Sequence, residues 1–401
     1  LSEMFPAEGE RVPKRRFAGF TQAWEQHTIS ELADRYDNLR VPITAFDRMP
    51  GNTPYYGANG IQDYVEGFTH CGEFILVAED GANDLQNYPV QYVNGKVWVN
   101  NHAHVLQARS EIADNKFLMN ALKQTNIEPY LVGGGRAKLN ADVMMKISLR
   151  VPELAEQKKI GSFFERLDHL ITLHQRKLEK TKALKSAYLS EMFPAEGERV
   201  PKRRFAGFTQ PWEQRKLGEL AESFEYGLNV AATEFDGNNK YLRITDIDDE
   251  THEFKTDSLT SPLVDFATAD NYRLQEGDVL FARTGASVGK TYRYKDFDGL
   301  VYFAGFLIRA RIKPEYDSEF VFQNTLTDRY NRFITITSQR SGQPGVNAQE
   351  YANYIISMPE FDEQRKVGLF FQELDHLITL HQRKLEKLQN LKKAYLNEMF
   401  V

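Results

Sequence analysis

The chain has 401 residues, 41% of them hydrophobic, a formal net charge of −6 and a single cysteine, Cys71. That length has room for two or three domains with cores of their own, in a composition typical of folded proteins. One thiol excludes an internal disulfide and fits a reducing cytoplasm, the nine histidines show no zinc spacing, and no apolar run approaches the roughly 18–20 residues that cross a bilayer.

The chain opens with LSEMFPAEGERVPKRRFAGFTQ, Leu1–Gln22, and this peptide returns unchanged at Leu189–Gln210. Because the chain begins inside a repeated unit, it is expected to be a fragment whose native start lies upstream. After this linker peptide (1–23) a globular segment is predicted over 24–152. It is rich in Gly, Asn and Tyr and carries short apolar runs such as Phe74–Ala78 and Lys96–Val99, which read as strands.

A helix about 39 residues long follows, predicted from Leu154 to Phe193. Apolar or semi-apolar residues recur at Ile160, Phe163, Leu167, Leu170, His174, Leu178, Thr181, Leu184, Tyr188 and Met192, in steps of three or four. Such a helix is about 60 Å long and needs a partner for its one apolar stripe. A linker (194–211), a second globular segment (212–359) and a second long helix (360–401) repeat the plan.

LDHLITLHQRKLEK occurs at Leu167–Lys180 and again at Leu374–Lys387. The helices are expected to lie antiparallel as a coiled coil. Leu167, Leu170, His174 and Leu178 should pack with Leu374, Leu377, His381 and Leu385, and His174 should meet His381. The fold class is then α+β: two globular α/β domains separated by two long antiparallel helices, with pseudo-two-fold internal symmetry.

The globular segments differ more than the helices do, though GEFILVAEDGA (72–82) echoes GDVLFARTGA (277–286). No catalytic constellation emerges. RTGASVGKT (283–291) looks like a phosphate-binding loop, but Gly285 and Gly289 enclose three residues instead of four, which leaves a nucleotide switch at Lys290 the weakest reading. A methyltransferase tetrapeptide of the Asn/Asp-Pro-Pro-Tyr type is missing, and an isolated His102-x-His104 is a weak metal signal.

Several loops do carry side chains able to pair with base edges or phosphates. In the first segment these are Tyr55, Tyr56 and Asn59; Asn100, Asn101 and His102; and Arg136 with Lys138. In the second they are Arg283, Thr284, Ser287 and Lys290, with Arg340, Ser341, Gln343 and Asn347. Singly, each reads more simply as a polar turn; as sets they point to recognition. The negative net charge opposes nucleic-acid binding, whereas the clusters Lys14-Arg15-Arg16 and Lys202-Arg203-Arg204 favour it.

YYGANGIQDYV (55–65), DGAN (80–83), NNHAHVL (100–106), GDVLFARTGASVGK (277–290), SGQPGVNAQEY (341–351) and the helix starts EQKKIGSFFERLD (156–168) and EQRKVGLFFQELD together resemble the specificity subunit of type I restriction–modification enzymes. The resemblance implies two target-recognition domains, each reading half of a bipartite, asymmetric double-stranded DNA site. It also implies helices that set the spacing of the half-sites and dock two methyltransferase subunits, with restriction and motor subunits joining them. The chain itself would be non-catalytic; S-adenosylmethionine, ATP and Mg2+ would be used by the partners. The competing reading is a coiled-coil scaffold with two protein-binding end domains. The identity of the two 22-residue peptides further suggests gene segments kept alike by recombination.

Overall fold

The computed structural model describes residues 12–133, 137–339 and 342–400. The chain divides into two compact units, Leu1–Leu173 with Lys384–Val401, and His174–Arg383. The long helices, Leu154–Met192 and Phe361–Met399, each contribute one half to either unit.

In the first unit a six-stranded sheet runs in the order Ala33–Arg35, Ala103–Ala108, His70–Ala78, Val90–Val99, Pro50–Gly57, Gly60–Val65. Its pairs are antiparallel except where Tyr55 and Tyr56 run parallel to Trp98 and Val99. The run FILVA is buried throughout in a central strand, as a continuous apolar stretch requires when both faces are covered. The second unit has a smaller antiparallel sheet in the order Ala221–Tyr226, Leu307–Ile312, Asp278–Ala282, Thr291–Arg293. Beside it lies a short parallel pair, Lys240–Leu242 with Val301–Phe303.

Each globular part is closed where the chain comes in and goes out. Glu25–Thr28 pairs antiparallel with Ser148–Val151, and Glu213–Lys216 with Ile355–Met358. The outgoing strand leads directly into a long helix, whose first turns explain the recurring E-Q-x-K-x-G-x-F-F. Glu156 and Glu363 are fully buried, and each takes a two-pronged bond from an arginine of the linker peptide: Arg16 to Glu156 at 2.7 and 2.7 Å, Arg204 to Glu363 at 2.6 and 2.7 Å.

The next residue, Gln157 or Gln364, donates to a proline carbonyl just before the helix and accepts the backbone N–H of Asp114 or Asp317. Those aspartates cap a shorter helix of the globular domain by accepting from Phe117 and Phe320. Gly161 and Gly368 leave space for the caps: a Cβ there would lie 2.5 and 2.6 Å from the aspartate oxygen. Glycine is required at both positions by close approach.

Within each unit the helix segments run antiparallel. In the first, Phe163 meets Tyr395 edge-on with ring centres 5.0 Å apart, and Asp168 pairs with Lys392. In the second, Tyr188 meets Phe370 at 5.0 Å, Lys185 pairs with Asp375 at 2.5 Å, and the Nδ1 atoms of His174 and His381 lie 3.3 Å apart. The histidines thus meet as the sequence predicts.

The seam differs from the predicted stripe at three positions: Phe164, Ile171 and Lys185 stand where Phe163, Leu170 and Leu184 are expected. Buried and half-buried positions follow a strict alternation of three and four: Ile160, Phe164, Leu167, Ile171, His174, Leu178, Thr181, Lys185, Tyr188, Met192, and correspondingly Val367 through Met399. This is the 3.5-residue period of a left-handed coil. Leu170 and Leu377, expected in the seam, are 40% and 41% exposed, and Ile171 and Ile378 take their places. At Phe163–Phe164 and Leu170–Ile171, adjacent apolar residues made a step of three indistinguishable from a step of four until the partner helix fixed the phase; at Leu184–Lys185 the seam position is held by the ion pair of Lys185 with Asp375. Leu167, His174, Leu178, Leu374, His381 and Leu385 lie in the seam as expected.

The basic clusters also have a different role. Arg15 pairs with Glu398 and lies over the Tyr395 ring; Arg203 pairs with Glu191 and lies over Tyr188. Together with Arg16 and Arg204 they hold the linker to the helices.

Replacing Arg204 by Ala leaves a buried carboxylate unpaired and is expected to cost about 3–5 kcal/mol in urea unfolding. Arg15→Ala, at a 54% exposed side chain, should cost less than about 1 kcal/mol. Ile378→Ala should cost about 2 kcal/mol or more, and Leu377→Ala no more than about 0.5 kcal/mol.

Candidate nucleic-acid interface

The echo between the two globular segments marks their loop pairs. In the first unit the strand His70–Ala78 ends in Glu79-Asp80-Gly81, and Asp80 forms an isolated antiparallel bridge to Lys138, with Leu139 N–H donating to Glu79 C=O at 2.7 Å. In the second, Asp278–Ala282 ends in Arg283-Thr284-Gly285; Thr284 bridges Gly345, and Val346 N–H donates to Arg283 C=O at 2.9 Å. Gly81 and Gly285 turn with φ of 69° and 78°, a region that favours glycine. Each unit therefore joins two loops distant in sequence into one surface, over the same backbone scaffold and with different side chains.

On the first unit's surface, Asn59 is exposed and clamps the neighbouring loop, donating to Gly81 C=O and accepting from Asn83 N–H. Tyr56 is half-buried and Asn101 exposed. His102 is half-buried with its Nδ1 2.5 Å from Asp80. Lys138 is exposed but paired with Glu79 at 2.8 Å.

Two expected contacts are corrected here. Tyr55 is 1% exposed, its hydroxyl bonded to the backbone of Ile43, with Arg48 over its ring; it is a core residue because its alternate position in the strand faces inward. Asn100 is 4% exposed and accepts the His102 N–H, so its side chain builds the turn. Arg136 lies outside the described residues.

Beneath this surface is a charged network that spacing alone did not reveal. Asp37, Glu79 and His104 bring three potential metal-ligating groups within 4.8 Å of one another. Arg40 and Lys138 already pair with Glu79, and Arg40 also lies by Asp37. Both ring nitrogens of His104 face oxygens, those of Asp37 and of the Leu139 carbonyl. The arrangement is an ion-pair network that anchors the 138–139 strand.

Burial raises the pKa of the Asp37 and Glu79 carboxyls, but hydrogen bonds and nearby positive charge outweigh it and hold both below their ordinary values. Their contribution is present above the unfolded carboxyl range and is lost as pH falls through the lowered folded values. The first unit should therefore lose stability below about pH 4, and Asp37→Asn with Glu79→Gln should flatten that acid limb when melting is followed against pH.

On the second unit's surface, Thr284 is half-buried at the bridge and Gln343 is exposed, its amide beside Gly285. Arg283 stands over the ring of Tyr226, 4.9 Å from its centre. Ser287 and Lys290 line a separate groove of about 710 Å³ with Lys182, Lys185 and Asp249. There Lys290 donates to the Ile247 carbonyl and pairs with Asp249, so it is corrected from an expected contact to a residue held in a local ion pair. The same pairing occupies the ammonium that a phosphate-binding loop would need. The Asn347 side-chain oxygen caps a short helix by accepting from Glu350 N–H, which removes that atom from recognition. Arg340 and Ser341 lie outside the described residues. Sequence reading missed Tyr226 and the 59% exposed Phe306, which lie outside any turn motif.

Residues 21–183 and 209–390 match the family described as the type I restriction modification DNA specificity domain. The chain belongs to that family. It is a DNA-recognition subunit of a type I restriction–modification system and not the catalyst.

It is 22% identical to the MjaVIII specificity subunit of Methanocaldococcus jannaschii over 97% of this chain and 93% of that one. It is 43% identical to a putative type I restriction enzyme specificity subunit of Haemophilus influenzae over 146 residues, 36% of this chain and 38% of that relative's length. In fold it resembles the crystal structure of the type I restriction–modification S subunit from M. genitalium, with a TM-score of 0.73 and 15% identity over 97% of this chain and 99% of that one. The protein-binding scaffold reading is not favoured by these likenesses. Among the described residues no helix is long and apolar enough to cross a membrane.

Proposed function

We propose that this specificity subunit reads a bipartite, asymmetric DNA sequence, each globular domain reading one half, and that its helices carry two methyltransferase subunits. The supporting observation is the repeated loop bridge: the Asp80–Lys138 and Thr284–Gly345 pairs build the same surface twice from different side chains. Two unlike readers on like scaffolds suit two unlike half-sites. The remaining candidates, Tyr56, Asn59, Asn101, His102, Lys138, Thr284, Gln343 and, above all, Arg283, are the proposed contacts. S-adenosylmethionine, ATP and Mg2+ belong in this reading to the methyltransferase, restriction and motor partners.

The exposed helix faces support the partner count. Leu170, Leu173 and Leu391 are exposed in the first unit, and their repeat equivalents Leu377, Leu380 and Leu184 in the second. Apolar side chains left out of the seam at the same three positions of each unit offer one partner face per unit.

The test is footprinting and adenine-methylation mapping of the complex reconstituted with its methyltransferase. Protection of two different short sequences at fixed spacing is expected; a palindromic site or none would overturn the reading. With a net charge of −6 and most arginines paired, the isolated chain should bind DNA weakly and lose affinity steeply with salt. Leu170→Glu with Leu377→Glu should leave folding intact and abolish stable methyltransferase association in gel filtration.

A further inference from the structure

We infer that Arg283 reads a guanine, and that the half-site of the second unit therefore contains a G·C pair for which the first unit has no equivalent reader. This rests on the DNA-reading role proposed above and names the chemistry of one contact. In the second unit Arg203, Arg204, Arg243, Arg293, Arg309 and Arg311 all pair with carboxylates. Arg283 faces no carboxylate among the described residues and is instead held against an aromatic ring.

The backbone of Arg283 and the ring beneath its guanidinium are both held in place. The Arg283 N–H donates to the Phe306 carbonyl at 3.0 Å, and its carbonyl accepts from Val346 N–H. Tyr226, under the guanidinium, is itself fixed, its hydroxyl accepting from Ala348 N–H at 3.2 Å. A Cβ on Gly345 would lie 3.3 Å from the Arg283 carbonyl oxygen, and one on Gly285 3.3 Å from the Gln343 amide. Both glycines thus let the loops close around the arginine.

A planar five-donor fork, stacked on a ring and facing no carboxylate among the described residues, is pre-oriented for the two acceptors O6 and N7 of guanine in the major groove. A phosphate clamp needs no such fixed orientation. At the matching position the first unit has Glu79, an anion already bound by Arg40 and Lys138, which cannot make this contact.

The experiment is binding-site selection from a randomised duplex library by the full chain complexed with its methyltransferase, comparing the unaltered chain with Arg283→Lys and Tyr226→Ala. Arg283→Lys keeps the charge and loses the fork. The expected result is that one guanine, in one half-site only, becomes degenerate in both variants, with roughly 10- to 100-fold loss of discrimination there and an unchanged second half-site. Unchanged selection, or weakening that is uniform across sequences with a salt slope lower by about one, makes Arg283 a bystander or a phosphate contact and overturns the inference. If the unaltered complex selects no bipartite sequence, the DNA-reading proposal fails first and the arginine assignment falls with it. Unaltered melting of the Arg283→Lys complex separates loss of reading from loss of fold.

Discussion

A carboxylate buried at the start of each long helix governs how its unit is assembled. Glu156 and Glu363 are fully buried, and an ionised group there is tolerable only with a full set of hydrogen bonds. Arg16 and Arg204 supply them from the linker peptide. That requirement fixes the linker's path, which brings the incoming strand beside the outgoing one and sets the domain on the helices. Trp212 adds its indole N–H to Glu363 at 3.2 Å.

The same constraint gives the duplicated peptide a structural cause. Arg15, Arg16, Phe17 and Phe20 contact Tyr395, Glu156, Phe163 and Lys159. Arg203, Arg204, Phe205 and Phe208 contact Tyr188, Glu363, Phe370 and Lys366. In each unit the peptide joins the end of one long helix to the start of the other. Residues repeat where they grip repeated helices; domains that only rest on this grip are free to diverge in their loops. Recombination between gene segments is compatible with this grip, which makes the basic run of the peptide a mechanical part in place of a DNA-binding one.

Much of the frame was legible beforehand. The repeat, the long helices, their antiparallel pairing and the meeting of His174 with His381 follow from apolar periodicity and from the need of one stripe for another. The phase of the seam was not legible, because Leu170 and Ile171 are neighbours of equal apolarity. Among the loop candidates, the motif located the right segments but could not separate Asn59, which faces outward, from Tyr55, which the strand turns into the core. Lys290 was drawn from a loop of suggestive composition, yet its charge is neutralised by Asp249, 41 residues earlier in the chain.

By itself the sequence determined the family, the tandem plan and the segments that carry recognition, because repeats, periodicity and glycine-rich turns are local properties of a chain. Only the tertiary structure decided which charges are available. Ion pairs such as Arg204 with Glu363 and Lys290 with Asp249 join residues far apart in sequence, and each removes a cation from the surface. Arg283, which faces no carboxylate among the described residues, lies on the ring of Tyr226 in a cradle made by three separate stretches of chain, and no local pattern encodes that placement.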